Sequence, residues 1–200
     1  MRAFFNYYKW HIFFFMLFAV CVLTFIITSC RKSVPDLVIN CISPEYINVQ
    51  NFNDRKSYLE ALLQDADGDN EKLIKLANYT YDTQNNLDEV MELLGNTIDS
   101  DIIITTAATL AEFQDKSILV DIRSFISDID SEKYVTLKDD SGKIYAVSLA
   151  DNDYIKDMGF FNTSDLYITV VDDEAEASKR STEKKNARNI TLAIIKEYNI

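Results

Sequence analysis

Hydrophobic and polar positions divide the chain into two textures. Ile12 to Ile27 run for sixteen residues without a charge, and beyond Ser33 the apolar residues come in short bursts between acidic and hydroxylic stretches. Asp36-Leu-Val-Ile-Asn-Cys-Ile42 is nearly continuous and ends at Ser43-Pro44, which predicts a strand buried on both faces. Asn53 can cap a helix carrying Leu59, Leu62 and Leu63, which ends before Asp65. Glu71 to Tyr79 reads as a second strand. Asn86 to Gly95 has the clearest helical signature, with a cap at Asn86, Glu89 three residues on, and apolar Leu87, Val90, Met91 and Leu94.

Asp101 to Thr106 predicts another buried strand and Thr106 to Phe113 a short helix. Ile118 to Asp121 and Ile144 to Leu149 are further strand candidates, joined by a polar stretch with a Ser141-Gly142 turn. Asp165 to Val171 is one more strand, and Lys184 to Tyr198 holds Ala187, Ile190, Ile194 and Tyr198 in helical register. Strands alternating with helices predict an α/β domain with a largely parallel sheet flanked by helices.

The apolar N-terminal run follows Arg2 and Lys9, the layout of an export signal. Its sixteen residues make a helix of about 24 Å, short of the roughly 30 Å hydrocarbon core, so a cleavable signal fits better than a comfortable span. Ile27-Thr28-Ser29-Cys30 resembles the bacterial lipobox, in which the cysteine is lipidated and becomes the new N-terminus. The alternative is an uncleaved signal anchor in which Cys30 is the last apolar residue. In both readings Arg2 and Lys9 stay inside and the rest faces outward, on a bacterial cell surface. The expected organisation is residues 1–30 as signal or anchor, 31–34 as a tether, and 35–200 as an extracytoplasmic α/β domain.

The exported part carries 18 basic residues against 32 acids, a net charge of about −14, once Arg2 and Lys9 are set aside. Such a surface disfavours nucleic acid. Of the three cysteines only Cys41 lies in the domain, and the single histidine, His11, is on the signal side. Ser-His-Asp and Cys-His systems and histidine-based zinc sites therefore have no imidazole to work with. Four glycines in the whole chain leave no glycine-rich phosphate loop. Paired carboxylates can act without histidine, but no segment singles out a pair, and the reading is of a protein that is not an enzyme.

The stretch from Gly95 to Ile126 followed by Asp139 to Asp153, with Asp101 to Ile104, Ala107 to Phe113, Ile118 to Ile122 and Gly142 to Val147 in that order, resembles the first lobe of extracytoplasmic solute-binding lipoproteins, the sugar-binding group that feeds ABC importers. The resemblance covers roughly Asp36 to Ser148. It implies a single lobe of a type II periplasmic-binding-protein-like fold, a small solute as ligand, and an ABC permease as partner. Ser148 departs from the family, which has proline there. The roughly fifty residues after it supply one strand and one long helix rather than a second lobe, so a one-lobed or degenerate relative is implied. The competing expectation is a surface interaction protein that keeps the fold without the solute.

In open α/β sheets ligands sit beyond the carboxyl ends of the strands. That puts Ser43 and Glu45 after the first strand, Tyr79 and Thr80 after the second, Thr105 and Thr106 after the third, and Asp151 and Asn152 after the Tyr145 strand as candidate ligand contacts. The plainer role for either threonine is a helix cap. Asp65, Asp67, Asp69 and Glu71 are half of a calcium loop by ligand type, but Asn70 and Leu76 stand where the loop needs glycine and a bidentate acid. A solvated acidic turn is the alternative. No other cofactor is expected, and Cys41 reads as a small buried hydrophobe.

Overall fold

A computed structural model describes residues 2–30, 34–44, 49–81, 88, 100–112, 118–129, 133–150, 152–157, 165–171 and 181–196. The chain divides into two units, Met1–Val34 and Pro35–Ile200. The first is one helix, α1 (Arg2–Cys30), whose side chains are described over 8–24. Trp10, Phe13, Phe14, Phe15 and Phe18 are exposed on it, and Trp10 meets Phe13 edge to face, with ring centroids 6.2 Å apart. Among the described residues no helix is long and apolar enough to cross a membrane.

The second unit is built on a six-stranded sheet flanked by helices. Its strands are β1 (Leu37–Ser43), β2 (Ile74–Thr80), β3 (Ile102–Thr106), β4 (Thr136–Lys138), β5 (Ile144–Ser148) and β6 (Leu166–Val170), in the order β2-β1-β3-β6-β5-β4. β1 is parallel to both β2 and β3, whereas the β3–β6, β6–β5 and β5–β4 pairs are antiparallel. The expectation of a largely parallel sheet is thus corrected to a mixed one. A short loop can only join antiparallel neighbours. Asp139 Oδ1 accepts the Ser141 N–H at 2.9 Å and the Lys143 N–H at 2.9 Å, and Gly142 takes the φ of +82° that closes the β4–β5 loop.

Other elements differ from expectation at their edges. Ile118 to Asp121 does not form a strand: Leu119 makes a single bridge to Val171, and a 3-10 turn follows at Ile122–Ser124. Asp121 caps that turn by accepting the Arg123 N–H, and its carboxylate also grips the Arg123 guanidinium at 2.6 Å. β2 begins at Ile74 rather than Glu71, because the preceding residues belong to the acidic loop described below. The expected helix over Asn86 to Gly95 lies outside the described residues except for Asp88, which is helical.

Helices α2 (Val49–Leu62) and α5 (Ser181–Ile195) pack on one face of the sheet. A core of Leu37, Ile39, Cys41, Ile102, Ile104, Ile168 and Val170 from the strands meets Phe52 and Leu59 from α2, Leu63 just after it, and Ala187, Ile190 and Ile194 from α5. The α5 stripe recurs at three- and four-residue intervals, which sets one helix face against the sheet. On the other face Ile42, Ile103, Tyr145 and Ala146 gather with Leu110 of α3 (Ala107–Glu112), Leu119 and Tyr81. A last short helix, α4 (Asp153–Asp157), follows β5.

Two buried asparagines clasp α5. Asn186 accepts the Gln64 N–H at 2.9 Å and donates to Gln64 O at 2.8 Å, mimicking a strand partner, while Asn152 Nδ2 donates to Ile194 O at 2.7 Å. At the start of β1, the buried Asp36 carboxylate accepts the N–H groups of Ala66 at 2.6 Å and Leu73 at 2.9 Å. Asp101 does the same for β1 from the β3 side, accepting the Val38 N–H at 2.8 Å.

Candidate functional site

β2, β1, β3 and β5 point the same way, so their carboxyl ends share one edge of the sheet. The chain passes from β1 to β2 on one side and later to β3 on the other, which makes the β1–β3 boundary a topological switch point. At this edge Ser43 and Thr80 are register partners between β1 and β2, and Thr105 sits opposite Ile42 between β1 and β3. The Tyr81 N–H donates to Ser43 O at 3.3 Å, holding the exit of β2 against that of β1.

Three hydroxyls converge at this edge. Tyr81 Oη lies 2.9 Å from Thr109 Oγ1 and 3.4 Å from Thr106 Oγ1, and the two threonine oxygens are 3.0 Å apart. Thr106 also accepts the Thr109 N–H at 3.2 Å, so it is the cap of α3. The cap occupies one acceptor site of Thr106 Oγ1. If Tyr81 donates to Thr109 and Thr109 to Thr106, the second is filled as well. The Thr106 proton is then left with the 3.4 Å contact to Tyr81 or with an outside acceptor. Thr106 is half-buried, whereas Tyr81 and Thr109 are buried, so an incoming group meets Thr106 first.

The remaining predicted positions divide. Thr105 projects to the opposite face from Thr106, is fully buried, and its Oγ1 has no hydrogen-bond partner. Tyr79 is half-buried and Thr80 exposed at the β2 edge. Asn152 is engaged through both carboxamide atoms, donating to Ile194 O and accepting the Ile155 N–H at 3.0 Å as the cap of α4. Glu45 and Asp151 lie outside the described residues. Tyr81 and Thr109 were missed by the sequence reading. A threonine three residues after a threonine at a strand-to-helix junction is the local signal for the second, and nothing local marks the first.

Ser43, Thr80, Tyr81, Thr106, Thr109 and Ser148 at this edge are neutral, and the exposed Asp165, immediately before β6, lies at the same edge because Leu166 is the register partner of Thr106. Neutral hydroxyls and amides can give and accept hydrogen bonds, which suits recognition of an uncharged polar group. They offer no base beside a nucleophile.

The acidic loop is a second cluster. Oxygens of Asp36, Asp65 and Asp67 lie within 4.8 Å of one another, so two of the four predicted calcium ligands come together with Asp36, which was not foreseen. Asp69 and Glu71 are not part of that group. The loop amides turn onto the acids: Gly68 and Asn70 donate to Asp65 at 2.6 and 2.9 Å, Asp69 to Asp67 at 3.0 Å, and Glu71 to Asp69 at 2.7 Å. Those Gly68 and Asn70 amides hold the Asp65 carboxyl below the ordinary carboxylate range. The turn requires positive φ at Gly68 and Asn70, and its carboxylates thus have partners in the chain itself.

Cys41 is buried in the core, and burial pushes its thiol far above the ordinary range, so it stays protonated and inert. No family model, curated protein or solved structure matches this chain.

Proposed function

We propose that the chain is a membrane-tethered, extracytoplasmic binding module that holds a small uncharged polar solute, such as a sugar, weakly at the carboxyl edge of its sheet. The observation that carries the reading is the uncharged hydroxyl cluster of Tyr81, Thr106 and Thr109 at the β1–β3 switch point. The β2-β1-β3 core, parallel throughout and covered by α2 and α5, supports kinship with one lobe of a type II periplasmic-binding-protein-like fold. An ABC permease is the partner such kinship implies.

Tethering follows from Ile27-Thr28-Ser29-Cys30, with Cys30 as the acylated residue. At about 3.5 Å per residue the four residues from Arg31 to Val34 keep the domain within roughly 15 Å of its anchor. Labelled fatty acid should enter the wild-type chain and not Cys30→Ser. Equal incorporation would favour a plain signal anchor.

Contacts from one side of a ligand give dissociation constants no tighter than about the high micromolar range, near −5 to −6 kcal/mol. Ligand-observed NMR with sugars, oligosaccharides and amino acids tests this. Thr106→Ala should weaken binding. It also uncaps α3 at a cost of about 1 kcal/mol, so melting temperature is measured beside affinity. A well-folded chain that binds none of these solutes would move the assignment to a surface interaction protein. That second reading is favoured by one observation: the three hydroxyls already satisfy much of their hydrogen bonding among themselves.

A further inference from the structure

Most polar side chains buried in the sheet have partners. Thr169 Oγ1, on β6, donates to Tyr145 O at 2.6 Å. Two residues break the pattern. Asn40, in the middle of β1, is 0 % exposed, and neither its Nδ2 nor its Oδ1 has a partner. Thr105 of β3 is also 0 % exposed with its Oγ1 unpaired.

Register places these three atoms in one neighbourhood. Asn40 lies opposite Ile103 and Thr105 opposite Ile42, so the two residues sit on adjacent strands, offset by two positions. Side chains alternate along a strand, which sends both to the face of Ile42 and Ile103. Strands about 4.8 Å apart and a rise of about 3.3 Å per residue put their Cα atoms roughly 8 Å apart. A carboxamide and a hydroxyl at that spacing leave room for one small bridging group. The same face carries Ile42, Ile103, Leu110 and Ala146 together with the buried rings of Tyr81 and Tyr145, and Thr169 beside Ile103 is already bonded to Tyr145 O. An unmade hydrogen bond in such a setting is expensive, and an apolar residue at either position would avoid it.

We propose that Asn40 and Thr105 jointly hold one internal water between β1 and β3. Such a water accepts from Asn40 Nδ2 and donates to Thr105 Oγ1, or accepts from the Thr105 hydroxyl and donates to Asn40 Oδ1. Two to four polar partners are what a buried water requires, and this pair offers three polar atoms. The asparagine in an otherwise apolar strand is thereby explained by the water it retains. The site lies on the face opposite the α2–α5 layer, just inside the edge that carries Ser43 and Thr106.

The test is a double-mutant cycle in the full chain, solubilised in a non-ionic detergent, with Asn40→Val and Thr105→Val singly and together. A shared water makes the two substitutions non-additive: Thr105→Val alone lowers the urea midpoint, and the double variant recovers it to the wild-type value or above. Independent effects that add, each raising the midpoint, would overturn the proposal. A second measurement needs no variant. In the wild-type chain, labelled with nitrogen-15, the Asn40 side-chain amide protons should show a nuclear Overhauser effect of negative sign to a long-lived water. Its absence would equally overturn the assignment.

Discussion

Replacing Asn186 by alanine should loosen the docking of α5, although the side chain adds little apolar area to the core. The side chain accepts the Gln64 N–H at 2.9 Å, donates to Gln64 O at 2.8 Å and reaches Asp36 O at 3.4 Å. Each such bond contributes about 0.5–1.5 kcal/mol net, and a buried group left unpaired costs about 1–3 kcal/mol. Gln64 is exposed, so water can replace part of what its backbone loses, whereas the Asn186 site itself is fully buried. The expected destabilisation is therefore about 2–4 kcal/mol. For a domain of this size that is a fall in melting temperature of roughly 5–15 °C. Asn189→Ala, three residues on and exposed, is the control: it removes no such contact and gains about 0.5 kcal/mol of helix propensity. Both are read by circular dichroism at 222 nm against temperature and urea, on the full chain in detergent. If Asn186→Ala and Asn189→Ala fell within about 0.5 kcal/mol of each other, the reasoning that a backbone-mimicking asparagine fastens α5 would fail.

Three further outcomes are expected. Asp65, Asp121 and Asp139 have carboxyls held below the ordinary range, by the Gly68 amide, by the Arg123 guanidinium and by the Ser141 hydroxyl respectively. A lowered folded value means stability that is present above the unfolded value of about 3.9 and lost as pH falls through the folded one. Urea midpoints in 0.2 M salt should thus hold from neutrality to about pH 5 and drop below about pH 4, and Asp139→Asn should blunt that drop; a rise on acidification below pH 4 would contradict it. EDTA should leave the helical circular dichroism and melting temperature unchanged, because loop amides already serve Asp65, Asp67 and Asp69; a loss of signal restored by calcium would make the Asp36, Asp65 and Asp67 cluster a structural metal site. Cys41 should resist iodoacetamide in the native chain and react once it is unfolded, as read by peptide mass mapping, since its thiol is buried and protonated.

The pattern of residues determined the local elements. Continuous apolar runs ended by polar residues located β1, β3 and β6, and the spacing of Ala187, Ile190 and Ile194 located α5, because burial on a strand or helix face leaves a period that can be read directly. The candidate edge was legible in part for the same reason: a hydroxyl pair at the end of a buried strand, Thr105-Thr106, fell at the strand-to-helix junction. What surrounds it was not. Tyr81 joins Thr106 and Thr109 only because β2 lies beside β1, and strand order is a matter of pairing between distant segments that no local period records. The same holds for direction. β6 enters between β3 and β5 and runs against both, which turned an expected parallel sheet into a mixed one. Asn152 stood among the candidate ligand contacts, yet the fold gives its carboxamide to Ile194 and Ile155; Asn186 drew no notice, yet it fastens α5 to Gln64. A side chain's identity states what it can bond, but which partner lies within reach depends on how the helices and strands are packed, and that is decided by tertiary structure alone.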